Sequence, residues 1–249
     1  MLSVISYFWV DPARQRSCQF TADDVRAWDR MVARHLTVPH RRICVTHRPD
    51  LIDFMETAPL DMTKHVPSTC LVKLMHWRPD IAPALGERIL CMDIDCVITA
   101  SMNPLVERDE EVVLWRNPNY AESGKRGFYQ GSMQLLTAGA RPFLWADMDP
   151  KSTPAMLNRR FGGAEQAWIS ERLNTRWPSQ GWEWNEAYWT EADGVYGAGR
   201  LFNGQMGEGV TTELPENARV VFFPGDRAPS QDAVKAAHPW IAPHLELVA

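Results

Sequence analysis

The sequence predicts one α/β domain, and three observations predict it. A β-α-β unit occupies the first 46 residues, an apolar strand-like run Ile89-Leu90-Cys91-Met92 lies deeper in the chain, and strand-like and helix-like segments continue without an internal repeat or linker. The 249 residues can bury a substantial core unaided, and 45% hydrophobic against 23% charged residues is a globular balance. The expected domain is therefore the whole chain, 1–249.

Val4 to Val10 reads as a buried strand. A helix follows, capped by Thr21 with Asp23 and Asp24 in its first turn, and Val25, Trp28, Met31, Val32 and Leu36 form its apolar stripe. Pro39 marks its end, and Arg42 to Thr46 is the next strand, before a loop rich in Asp, Pro and Thr. Ser68 to Arg78 is expected to be helical. Arg88 to Asp93 is apolar on both faces, the mark of a central strand. Further strands are expected at Glu111 to Trp115, Ser132 to Leu136 and Arg219 to Phe223, with helices at Ala138 to Asp147 and Ala164 to Leu173. About 174–209 the periodicity dissolves into Trp, Gly, Asn and Glu, an irregular excursion, and about 224–249 is a Pro-rich segment expected to wrap back over the domain.

Several classes are disfavoured. Lys and Arg number 26 against 31 Asp and Glu, a formal charge of -5, which argues against a broad basic surface for nucleic acid. No stretch approaches the length of a membrane span, and Met1 to Val10 lacks the positive flank of a secretory signal. Five cysteines without a CxxC pair fit a reducing compartment, so a cytoplasmic location is expected. The histidines form no HExxH or Cys/His knuckle, which disfavours structural zinc.

The strongest chemical signal is Met92-Asp93-Ile94-Asp95-Cys96-Val97. In an extended chain two carboxylates separated by one residue share a side, and the apolar strand delivers them to its carboxyl end, where open α/β sheets place ligands. Carboxylates so placed cost desolvation unless a cation or donors satisfy them, and hard Mg2+ or Mn2+ suits them while leaving positions for a diphosphate. A second pair, Asp147 and Asp149, follows a helix and precedes Pro150, which reads as a loop with solvated carboxylates.

The segment Arg88-Ile89-Leu90-Cys91-Met92-Asp93-Ile94-Asp95-Cys96-Val97-Ile98, followed by Asn103-Pro104-Leu105, resembles the strand, Asp-x-Asp and Pro-Leu core of nucleotide-sugar-dependent glycosyltransferases of the GT-A fold, especially family 8 and its bacterial relatives. Val4 to Trp9 resembles their first nucleotide-binding strand and Pro39 to Thr46 the second. Tyr129-Gln130-Gly131-Ser132 resembles a segment on the sugar side, with Gln130 where the family has Asn, and Gly163-Ala164-Glu165-Gln166 resembles a helix start, with Glu165 where the family has Asp. The resemblance covers about residues 4 to 230 and implies a GT-A-like (Rossmann-like) domain with a mixed central sheet flanked by helices.

What it implies for function is a metal-dependent hexosyltransferase, retaining anomeric configuration, that moves a sugar from a nucleoside diphosphate sugar, a UDP-sugar, to a glycan, lipid-linked or protein hydroxyl. Asp93 and Asp95 would hold Mn2+ or Mg2+, Lys73 and Arg227 would add positive charge near the phosphates, and Tyr7 or Trp9 would stack on the base. Gln130 would face the sugar, and Glu165 and Gln166 the anomeric carbon or acceptor. Trp177, Trp182, Trp184 and Trp189 are further candidates for sugar platforms or for packing.

The C-terminal segment Val220 to Pro229 departs from the family pattern, having neither its metal-binding His nor its Lys. Asp226, His238 or His244 is left to supply a third ligand and Arg227 to replace the lysine. Two alternatives stand beside the transferase: a catalytically silent nucleotide-sugar or carbohydrate binding module, and a haloacid-dehalogenase-like phosphatase with Asp93 as phosphoryl acceptor and Asp95 as acid/base.

Overall fold

The computed structural model describes residues 1–10, 20–66, 69–116, 129–154, 165–173, 185–201, 213–223 and 228–245. Their main sheet has seven strands: β1 (Leu2–Phe8), β2 (His40–Thr46), β3 (Glu56–Pro59), β4 (Arg88–Met92), β6 (Val112–Arg116), β7 (Tyr129–Thr137) and β8 (Ala187–Trp189). Their spatial order is β3-β2-β1-β4-β7-β6-β8. The first four run parallel, β7 is antiparallel to both β4 and β6, and β8 is parallel to β6, so the sheet is mixed. A second sheet is built from β5 (Cys96–Ile98), β9 (Val195–Gly197) and β10 (Val220–Phe222), with β10 in the middle.

Alternation along the central strands builds a core on each face of the main sheet. Val4 and Phe8 of β1 and Leu90 and Met92 of β4 pack with Val25, Trp28, Met31 and Val32 of helix α1 (Ala22–His35). Ile5, Tyr7, Ile89 and Cys91 point the other way, against Leu71, Leu74 and Met75 of a 3-10 helix, Leu71–Trp77, and Ala167, Trp168 and Ile169 of helix α2 (Glu165–Leu173). Thr21 closes a reciprocal cap on α1: its hydroxyl accepts from the Asp24 amide, and Asp24 Oδ2 accepts from the Thr21 amide at 2.7 Å.

Several expectations shift for local reasons. β1 ends at Phe8, where its partner β2 ends at Thr46, so Trp9 and Val10 lie beyond the ladder. Within the helical stretch expected over Ser68 to Arg78, Leu71–Trp77 takes the tighter 3-10 form, and Ser68 lies outside the described residues. The helix expected over Ala138 to Asp147 shortens to Phe143–Ala146, because Gly139 (φ 81°) and Arg141 (φ 54°) form a turn and Pro142 opens the helical residues. β3 arises in the expected Asp, Pro and Thr loop, and β8 and β9 in the expected irregular stretch. Among the described residues no helix is long and apolar enough to cross a membrane.

Replacing Thr21 with Ala removes the hydroxyl acceptor and is expected to cost about 1 kcal/mol of folding stability. Urea unfolding of Thr21→Ala beside the parent checks this through a lower midpoint at unchanged slope.

Candidate active site

β4 lies between β1 and β7, so its carboxyl end is flanked on both sides, and Asp93 emerges there with its amide donating to Ser132 O of β7 at 2.9 Å. The chain does not stay extended across the two carboxylates. It bends at Ile94 and Asp95, with the Cys96 amide turned back to Ile94 O at 2.8 Å, before β5 begins. Asp95 is anchored from the opposite side, its carbonyl accepting from the Phe223 amide at 2.7 Å just beyond β10. The late strand thus holds the chain that follows the first carboxylate.

Lys73, on the 3-10 helix, reaches across to this edge. Its Nζ lies 2.5 Å from Asp93 Oδ1 and 2.8 Å from Glu165 Oε1 at the start of α2, and only 4% of its side chain is exposed, against 24% for Asp93 and 7% for Glu165. Burial alone would lower the ammonium's pKa, but the Asp93 and Glu165 carboxylates outweigh it and hold it well above the usual lysine value. Lys73 is therefore a fixed cation between two anions on separate elements. The charge expected beside phosphates faces carboxylates here.

Gly131 explains how Glu165 comes so close. A Cβ built on Gly131 would stand 2.5 Å from Glu165 Oε1, so the carboxylate occupies space that any other residue on β7 would fill. Ser170 fastens α2 to the same strand, its Oγ accepting from the Tyr129 amide at 2.8 Å.

Asp95 completes the group electrostatically. Its Oδ1 is sealed from solvent with no hydrogen-bond partner, and burial, followed by the charge of Asp93, pushes its carboxyl well above the usual carboxylate range despite Lys73. A buried acceptor without a donor, beside a second carboxylate, fits a hard divalent cation, which takes carboxylate oxygens and leaves room for other ligands. Among the described residues no three His, Cys, Asp or Glu side chains stand together as a metal group. Of the candidate third ligands, His238 forms a cluster with the rings of Phe223 and Trp240, and His244 lies against His35 of α1. Asp226 and Arg227 fall outside the described residues.

The other predicted residues surround this cluster unevenly. Tyr7 is buried, with its hydroxyl 3.2 Å from His76 Nδ1, while Trp9 is half-buried at the end of β1. Gln130 is half-buried on β7 and its Oε1 has no partner. Gln166 follows Glu165 on α2, its carbonyl accepting from Ser170 Oγ at 2.6 Å. Trp189 is fully buried and donates to Leu105 O, so it packs; Trp177, Trp182 and Trp184 lie outside the described residues. Asp147 and Asp149 behave as expected of a loop, Asp147 paired with Arg172 and Asp149 accepting from Lys151 and Ser152. Sequence reasoning placed Gly131 in the sugar-side segment but missed the room it makes for Glu165, and it missed His76 and Gln134 beside the site. The available signal for the last two was a polar residue inside an apolar run, Met75-His76-Trp77 and Met133-Gln134-Leu135.

Comparison with family models and with curated proteins finds no match. Solved structures do match over nearly the whole chain. Galactosyltransferase LgtC, in complex with donor and acceptor sugar analogues, superposes with a TM-score of 0.56 at 10% identity, covering 98% of this chain and 95% of LgtC. The chain carries a GT-A glycosyltransferase fold. An active-site mutant of LgtC gives 0.52 at 11% identity, with 99% of this chain and 97% of that one covered. The apo form of glycosyltransferase GlyE from Streptococcus pneumoniae TIGR4 gives 0.55 at 10% identity, with 98% of this chain but 60% of GlyE.

Two stability outcomes follow from this geometry. Lys73→Met leaves Asp93 and Glu165 without their shared cation and is expected to destabilise the fold by about 3 kcal/mol, read from urea unfolding. Asp95 binds its proton more tightly folded than unfolded, so it costs the metal-free protein stability as pH rises from about 4, the unfolded carboxyl's value, through the raised folded value. Asp95→Asn removes that loss. Its urea midpoint is expected to exceed the parent's by a margin that grows with pH across this window and closes near pH 3.

Proposed function

We propose that this chain is a glycosyltransferase that moves a hexosyl group from a nucleoside diphosphate sugar, a UDP-sugar, to a hydroxyl acceptor on a glycan, lipid-linked molecule or protein, using Mn2+ or Mg2+ at Asp93 and Asp95. The observation that carries this reading is the partnerless, buried Asp95 oxygen beside the Asp93–Lys73–Glu165 bridge at the carboxyl end of β4, on a fold shared with LgtC and GlyE. In LgtC that fold receives donor and acceptor sugar analogues.

Asp93 and Asp95 bind the cation through their carboxylates. When bound, the cation neutralises the diphosphate and stabilises it as a leaving group. Lys73 does its work one step back, holding Asp93 at the cation and Glu165 at the sugar side. Gln130, whose side-chain oxygen has no partner, is assigned to the sugar hydroxyls. Glu165 and Gln166 border the anomeric carbon, whose bond to phosphate oxygen breaks as the bond to the acceptor oxygen forms, the acceptor proton passing to the departing diphosphate. Trp9, at the mouth of β1, is better exposed than Tyr7 for stacking on a base, and Arg227 serves the diphosphate. Retention of configuration and action in a reducing, cytoplasmic compartment complete the proposal.

The phosphatase alternative loses its support. Its nucleophile follows the first strand of its domain, whereas Asp93 ends the fourth and its carboxylate is held by Lys73. The silent binding module differs from the transferase only in turnover.

A thermal-shift panel of nucleoside diphosphates and their sugars, each with and without Mn2+, tests the proposal. One base is expected to raise Tm only when metal is present, and Asp95→Asn is expected to lose that shift although its metal-free form is the more stable. An identical shift in Asp95→Asn removes the metal from Asp95.

A further inference from the structure

Beside the carboxylates runs a buried chain of polar groups that the proposed reaction does not use. Tyr7 of β1, His76 and Trp77 of the 3-10 helix and Gln134 of β7 are all buried, His76, Trp77 and Gln134 completely. Tyr7 Oη lies 3.2 Å from His76 Nδ1, His76 Nε2 lies 3.0 Å from Gln134 Oε1, and Trp77 Nε1 donates to the same oxygen at 3.1 Å. Gln134 Nε2 donates to Gly131 O at 2.8 Å.

Donor and acceptor chemistry orients the Gln134 amide. An indole N–H only donates and a backbone carbonyl only accepts, so the Gln134 amide has its oxygen toward Trp77 and its nitrogen toward Gly131. His76 Nε2 then carries a proton toward Gln134, while Nδ1 lies by the Tyr7 hydroxyl and the ring also meets the Lys73 carbonyl. Burial supports the neutral ring, pushing the His76 pKa down to about 4.

Two members of the chain, His76 and Gly131, stand beside residues that set the carboxylate geometry. His76 stands three residues after Lys73 on a 3-10 helix, where such side chains lie one above the other. Gly131 is the residue whose missing Cβ makes room for Glu165, and its neighbour Ser132 accepts from the Asp93 amide. Apolar side chains would fill the same space without burying four polar groups. What the hydrogen bonds add is a single register of the 3-10 helix against β7.

We propose that His76 and Gln134 are positioning residues, which lock the Lys73-bearing helix to Gly131 so that one ammonium meets Asp93 and Glu165 together. The consequence for turnover rests on the transferase reading, whereas the locking of Lys73 does not. His76→Phe removes both ring nitrogens, Gln134→Met removes the amide at similar length, and His76→Gln keeps a donor toward Gln134.

The test uses the full chain with 15N-labelled lysine. A buried, ion-paired ammonium exchanges its protons slowly and gives an NMR signal, assigned by its loss in Lys73→Met. That signal is expected in the parent, absent in His76→Phe and in Gln134→Met, and restored in His76→Gln, while unfolding stays cooperative. Donor turnover in the first two variants is expected to lose about ten-fold in kcat with the Kd for Mn2+ and nucleoside diphosphate within about three-fold, the mark of lost positioning. An unchanged Lys73 signal in either folded variant overturns the proposal, as does a kcat equal to the parent's. Should the parent turn over no nucleotide sugar, the transferase reading fails and the ammonium signal alone decides the lock.

Discussion

One buried ammonium organises the carboxyl end of this sheet. Asp93 and Asp95 share one turn and Glu165 comes from a distant helix, and the two carboxylates that meet at Lys73 would repel unless a cation stood between them. Lys73 is that cation, nearly sealed from water and bonded to both. Breaking such a pair leaves uncompensated charge, so the position of the 3-10 helix, of α2 and of the Asp93 turn are tied to one another by electrostatics as well as by packing.

The sheet order makes this meeting possible. Reversal from parallel β4 to antiparallel β7 sets Gly131 and Ser132 beside the end of β4, one bare of side chain for Glu165 and one offering its carbonyl to Asp93. The small sheet contributes from the other side, with β10 pairing β5 and the Phe223 amide taking the Asp95 carbonyl. The backbone of both carboxylate-bearing residues is thereby fixed, while one Asp95 side-chain oxygen is left without a partner. That combination of a rigid frame and one unsatisfied acceptor is what a ligand site requires.

Much of this was legible in the sequence because it is local. The Asp93-x-Asp95 pair stands out where an apolar strand ends in charge, and α1 follows from its stripe and cap. Glu165 and Gln166 were reached only through family resemblance, since a helix start with a carboxylate is ordinary. What stayed hidden is tertiary: nothing local links Lys73 to residues 93 and 165, or His76 to residues 7 and 134. Three-residue strands such as β8 and β9 are too short to show alternation, and Gly139 with Pro142 undid a helix that composition favoured. Solved structures share the fold at 10 to 11% identity, which shows how few residues the arrangement of strands demands.

Whether this edge activates a nucleoside diphosphate sugar, as proposed, is read from chromatography of the products from a panel of such donors, with Mg2+ or Mn2+ and with chelator. Metal-dependent release of the intact nucleoside diphosphate from one donor is expected of the parent, and none of Asp95→Asn. Release of inorganic phosphate, or no release from any donor with metal present, contradicts the proposal.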